Sequence, residues 1–321
     1  MSSRVRIANT IGVVLAVGLA LVAASYRAPM GSLAAAPALT PCLEIIEMPG
    51  GRRGLRDATG QVVELKAYRR IVAGSLVADR LLRELAEPDR VVGVSGYGRA
   101  QSPWAYQQAD KPVLASTDDV EAVLSLAPDL LLLNSFGESA KVARLRERGI
   151  AVFDLGAMGG VDMLVRDIHI VAQLLGHAER GERLATAWQR RFAAVASALH
   201  GRARKRALLL TTYGGKVFGG TRGTSYGDVL GAAGLVDVAA TSYTGWPQYT
   251  AEELLRLDPD LIVTKYGMGA QLCRIGGLDQ LKACRSSSGF VEIDGALLDD
   301  PGLPMLDAAE AIFAIAYPDA K

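Results

Sequence analysis

Histidine and cysteine are scarce in this 321-residue chain, three of each, and most metal and thiol chemistry falls away with them. No Cys-x-x-Cys occurs, so a structural zinc site has no basis. His169, His177 and His200 all fall in or beside one helical region, away from the strand ends where open α/β sheets hold their ligands. No metal site and no cofactor are expected. A Gly-x-Ser-x-Gly elbow is missing, and no cysteine has a histidine near it in sequence, which leaves no nucleophile–base pair for an enzyme. Excess charge is lacking too: 35 Lys and Arg face 34 Asp and Glu. With a net charge of +1 and no basic face interleaved with aromatics, nucleic acid is excluded as a partner. The run Arg202–Arg206 reads as a solvated connection ahead of a strand. Gly214-Gly215-Lys216 and Gly219–Gly223 lack the lysine and spacing of a phosphate loop and read as tight turns. Half the residues are hydrophobic and 21% are charged, so disorder is confined to the ends.

A long apolar run occurs only near the N-terminus. Arg4 and Arg6 precede an uncharged stretch from Ile11 to Ala24, about 14 residues where a membrane-spanning helix needs roughly 20. The pattern is that of an export signal, with an uncleaved anchor as the alternative, so residues 1–41 are assigned to signal or anchor plus an Ala/Pro-rich linker. Cys42 follows Pro41, far from the apolar run, which argues against a lipid-modified cysteine. Outside the cytoplasm, Cys273 and Cys284 are close enough in sequence to form a disulfide. Free thiols in a loop are the other reading.

What the chain does have is a repeat. Val120–Leu131 and Ala251–Ile262, about 130 residues apart, each run from a short amphipathic helix with a glutamate in its first turn, through Pro-Asp, into an apolar strand. Strands at 70–74, 91–94, 130–133 and 151–153 alternate with helices, and a hairpin fits 55–65. From Val161 to about Leu199 there is helix alone, broken at Gly176, whose second part would be about 30 Å long. Further strands start at Ala207, near Val217 and at Leu261, and an apolar helix covers 305–316. The expected fold is α/β: two doubly wound lobes (42–175 and 205–321) bridged by one long rigid helix within 176–204, with a ligand cleft between them. A chain of this length suits two such lobes.

Aromatics make up only 6% of the chain, yet Tyr97, Trp104, Tyr106, Tyr213, Tyr226, Tyr243, Trp246, Tyr249 and Tyr266 all fall in loops or at element ends. Loop aromatics suit a broad, planar or apolar ligand held between lobes.

Several segments together resemble the class III substrate-binding proteins of ABC importers for ferric siderophores, vitamin B12 and haem. They are Asp57–Gly60 with Arg70–Val72, Arg90–Val94, Arg148–Val152, Ser225–Leu230 with Ala233-Gly234, and Leu257–Ile262. The resemblance runs from about residue 54 to the end, and Trp246-Pro247-Gln248-Tyr249-Thr250-Ala251-Glu252 is most similar to the vitamin B12 branch. It implies an exported, monomeric solute-binding protein, not an enzyme, that passes a corrinoid or ferric siderophore to an ABC permease. Haem, a sensory or scaffold module, and a secreted α/β enzyme are the alternatives. By position it places Ser75, Tyr97, Phe136, Tyr213, Arg222, Trp246 and Tyr266 against the ligand, and Glu138 and Glu252 against the permease. Phe136 stands where the family has a first-lobe tryptophan.

Overall fold

Apolar runs too short for a helix and unbroken by polar residues, such as Leu130–Leu133 and Leu261–Val263, are buried on both faces. That is the signature of parallel strands covered by helices. The computed structural model describes residues 44–96, 110–117, 119–134 and 139–320. An antiparallel meander of β1 (Ile45–Met48), β2 (Arg52–Arg56) and β3 (Val62–Glu64) comes first. Its second and third strands are the expected hairpin; β1 was not anticipated. A parallel sheet follows, made of β4 (Ile71–Ala73), β5 (Val91–Ser95), β6 (Val113–Leu114), β7 (Leu130–Leu133) and β8 (Ala151–Asp154) in the order 6-5-4-7-8.

The second half of the chain supplies β9 (Arg206–Leu209), β10 (Thr211–Tyr213), β11 (Lys216–Phe218), β12 (Val236–Asp237), β13 (Gln248–Tyr249), β14 (Leu261–Lys265) and β15 (Phe290–Ile293). Strands 12-9-14-15 form a second parallel sheet, and 10-11-13 a small antiparallel one. Gly214 (φ 57°) and Gly215 (φ 75°) turn β10 into β11. Positive φ at both central residues is what a tight hairpin of this kind requires.

The internal repeat is reproduced in atomic detail. In the first lobe Ala127, just before Pro128, has φ 44°; in the second Asp258, just before Pro259, has φ 38°. Each ends its helix in the left-handed conformation that frees the chain to turn. The residue after each proline then pins the strand register: Asp129 N–H donates to Arg70 O at 2.8 Å, and Asp260 N–H to Arg206 O at 3.0 Å. The two arginines answer alike. Arg70 donates to Leu126 O and Ala127 O, and Arg206 to Leu257 O. The same helix–turn–strand device thus sets β7 beside β4 and β14 beside β9.

The basic run at 202–206 is the exposed connection expected ahead of β9, but its side chains are engaged. Arg204 donates to Gly231 O at 2.9 Å, Lys205 to Ala316 O at 2.6 Å and Arg206 to Leu257 O at 2.7 Å. These carbonyls lie at or near the C-terminal ends of the helices Ser225–Ala232, Met305–Ala316 and Ala251–Leu257. Unpaired carbonyls and the negative end of the helix dipole favour cations there. Sequence alone could not show that three helix ends converge on one pentapeptide.

The helical region consists of Val161–Leu175 and Ala178–Ser197, separated at Gly176, which takes φ 79°. The longer helix packs on Val161–Leu175 from the first lobe and on Ser225–Ala232 and Met305–Ala316 from the second. One buried cluster accordingly runs from Ile71 and Leu81 through Trp188 and Phe192 to Leu209 and Ile312. The lobes also meet directly. Arg80, on the helix Leu76–Leu85 that follows β4, pairs with Asp300 at 3.0 Å, with the two side chains only 7% and 0% exposed. Val161 N–H donates to Asp228 at 2.8 Å.

Candidate binding cleft

Ser75 and Tyr266 lie at the carboxyl ends of the parallel strands β4 and β14, and Tyr213 and Trp246 beside strands of the small antiparallel sheet. Ser75 follows β4 and caps the helix Leu76–Leu85, accepting from Ala78 N–H at 3.1 Å. Its hydroxyl also donates to Asn134 Oδ1 at 2.6 Å, and Asn134 donates in turn to Gly156 O. The ends of β4, β7 and β8 are thereby tied together. Ser75 is therefore committed to the frame of the first lobe. Tyr97, Phe136 and Glu138, and the loop aromatics Trp104 and Tyr106, lie outside the described residues.

In the second lobe the aromatics divide into two groups. Tyr213 at the end of β10, Trp246 just before β13 and Tyr266 just after β14 are 82%, 46% and 69% exposed. Exposed aromatic faces of this kind are available to stack on a ligand. Tyr243 and Tyr249 instead turn inward and pack edge to face with ring centroids 5.1 Å apart, so loop position alone did not make an aromatic available. Tyr226 is partly buried and meets Trp246 edge to face at 4.4 Å. Arg222 is exposed, and its carbonyl accepts from Gly245 N–H at 2.9 Å. That bond places its loop beside Trp246. Tyr226 belongs to the loop aromatics noted in the sequence but not to the residues placed against the ligand, and it lies in the first turn of the helix Ser225–Ala232. The signal that could have singled it out is Gly220, discussed below.

Glu252 and Glu253 are neighbours with different duties. Glu253 accepts from Thr250 N–H, Thr250 Oγ1 and Tyr243 Oη, completing a capping box. These bonds, led by the Thr250 N–H, hold its carboxyl below the usual range. Glu252 is exposed and has no hydrogen bond or ion pair among the described residues. Helix N-terminal stabilisation thus falls mainly to Glu253, leaving Glu252 available. Cys273 and Cys284 are joined as a disulfide, Cα atoms 5.7 Å apart. The turn Leu278–Gln280 inside the loop they close packs on the helix Ala251–Leu257 that carries Glu252. Among the described residues no group of His, Cys, Asp and Glu is arranged to hold a metal.

The family model described as "Periplasmic binding protein" matches residues 71–282. This chain belongs to that family. The periplasmic binding proteins bind rather than transform their solutes. A "Cobalamin-binding protein" of Halobacterium salinarum is 29% identical over 211 residues, covering 65% of this chain and 57% of the relative. The chain thus spans little more than half the length of that relative. The uncharacterized ABC transporter substrate-binding lipoprotein YvrC of Bacillus subtilis is 23% identical over 274 residues, covering 82% of this chain and 85% of YvrC. Among solved structures, the apo form of the periplasmic heme-binding protein RhuT from Roseiflexus sp. RS-1 superposes with a TM-score of 0.68. It is 23% identical and covers 79% of this chain and 99% of RhuT. That likeness establishes the two-lobed fold of the family.

Proposed function

We propose that this member of the periplasmic binding protein family captures a metal chelate, a corrinoid or a ferric siderophore, and delivers it to an ABC import permease. The observation that carries this reading is Trp246. It is a half-exposed indole at a strand-end loop of the second lobe, braced by Tyr226 and followed by the Pro247–Glu252 segment. An apolar ring held at fixed height against a cleft suits the face of a corrin or of a compact chelate. The cobalamin-binding relative supports the corrinoid over other solutes. In this reading Tyr213, Arg222 and Tyr266 line the second-lobe wall. Ser75, Tyr97 and Phe136 line the first. Residues 42–175 and 205–321 are the lobes on either side of the 176–204 connection. The protein works as a monomer outside the cytoplasmic membrane, with residues 1–41 as its signal or anchor.

Delivery to the permease would use Glu138 and Glu252. An exposed carboxylate without a partner in its own chain is suited to meet a cationic pocket, setting orientation and association rate more than affinity. Titration with cyanocobalamin, haemin and ferric siderophores, followed by tryptophan fluorescence, is expected to give micromolar or tighter binding of one corrinoid or siderophore. The quenching should be lost in Trp246→Phe. In the same series Glu252→Ala should bind the chelate normally yet support less uptake by a permease-expressing strain, with the docking defect shrinking at high salt. Binding of a sugar or amino acid in place of every chelate would end the proposal. Haemin as the tightest ligand would redirect it within the family.

A further inference from the structure

Trp246 sits in a segment, 241–247, that has neither helix nor strand, so something other than regular structure must set its angle. The backbone on either side is tied to one loop: Thr221 N–H donates to Gly245 O at 3.1 Å, Gly245 N–H to Arg222 O at 2.9 Å, and Gly219 N–H to Pro247 O at 3.2 Å. These bonds fix the path of the chain but leave the indole free to rotate. The side chain in position to stop it is Tyr226, whose ring meets the indole at an interplanar angle of 78°.

Tyr226 is itself held on three sides. It lies in the first turn of a helix capped by Thr224, whose hydroxyl accepts from Gly227 N–H and donates to Thr221 O. Its ring rests on the backbone of Gly220, where an added Cβ would come within 2.7 Å of Tyr226 Cδ2 and 2.9 Å of its Cβ. Only glycine lets the ring lie that close. The hydroxyl donates to Asp299 Oδ1 at 3.3 Å, and Asp299 pairs with Lys265 at the end of β14. Lys265 immediately precedes Tyr266.

We infer that Tyr226 is the positioning residue of the binding cleft: its ring, seated on Gly220, fixes the angle of Trp246. Ligand affinity then depends on a ring that need not itself touch ligand. The inference builds on the chelate-binding reading, but its first test does not need a ligand. In the apo protein, the emission that Trp246→Phe removes should show restricted motion by time-resolved anisotropy. Tyr226→Leu, which keeps apolar volume but removes the ring edge, should add a fast, large-amplitude component, as should Gly220→Ala by displacing the ring. Tyr226→Phe should restore the restricted decay. For whichever of cyanocobalamin, haemin and ferrichrome the native protein binds tightest, Tyr226→Leu should raise Kd at least tenfold and Tyr226→Phe should recover most of that loss. Circular dichroism and Tm establish that each variant is folded. A purely structural role would lower Tm while leaving the Kd and anisotropy of the folded fraction native, and would overturn the inference. So would unchanged anisotropy in Tyr226→Leu. If the native protein binds none of the three probes, the chelate reading fails, and the apo anisotropy still decides the role of Tyr226.

Discussion

Replacing Arg80 with methionine is expected to lower the free energy of unfolding by about 3–5 kcal/mol, measured by urea denaturation at constant pH. The guanidinium and the Asp300 carboxylate are both shut away from water, so removing the guanidinium leaves the carboxylate as a buried charge without its ion-pair partner, the costly state. Asp300 also accepts from Gly302 N–H at 2.9 Å; a stranded charge there would disturb the turn leading into the last helix. The double variant Arg80→Met with Asp300→Asn removes both charges and keeps an acceptor for Gly302. It should recover much of the lost stability, giving a large coupling energy in the double-mutant cycle. A loss below about 1 kcal/mol in the single variant, against the 3–5 kcal/mol expected for breaking a buried pair, would mean that this contact does not hold the lobes together.

The second large effect is with pH. Burial raises the carboxyl pKa of Asp79 to about 7, its charged form being only partly compensated by the Ser95 N–H and by Arg80 and Arg83. Asp79 Oδ1 has no hydrogen-bond partner among the described residues. Burial likewise raises Asp167 to about 7, against the opposing pull of Arg166. Unfolded, both return to an ordinary aspartate pKa near 3.9. Between about pH 4 and 7 the folded state keeps protons that the unfolded chain has released, so unfolding releases protons and stability falls as pH rises. Below that window both states are protonated, and above it the loss is complete. Each group should cost on the order of 2–4 kcal/mol across the window. Denaturation at pH 5, 6, 7 and 8 should show the decline, and Asp79→Asn and Asp167→Asn should each flatten it. Stability that rises steadily to pH 8 would contradict the assignment.

Much of the fold could be read from residue order because its units are local. The Pro-Asp turns, the helix break at Gly176 and the tight glycine turn at 214–215 act within a few residues of themselves. The boundaries expected for the last helix, 305–316, coincide with those observed. The strand β15 went unread because four residues beside Ser286–Gly289 carry too little pattern to separate strand from loop. Long-range polar partnerships left no trace either. Arg80 and Asp300 are 220 residues apart, and the convergence of Arg204, Lys205 and Arg206 on three helix ends depends on packing no local window contains. For the cleft, the sequence pointed to Trp246 and the exposed tyrosines, but it took Gly219 and Gly220 for turn formers. Neither has positive φ; both are small because neighbouring groups press against them.

The long helix also has a consequence in time. Trp188 on this helix donates its indole N–H to Leu303 O, 115 residues further along. The last helix, Met305–Ala316, completes a cover that Val161–Leu175 and Ser225–Ala232 also supply. At about 5–20 residues per second of synthesis, that last part of the cover arrives on the order of 6–26 s after Trp188 is made. During that interval the part of this 20-residue amphipathic helix that the last helix covers stays open, a surface on which a chaperone, or a second nascent chain, would settle before its own C-terminus does.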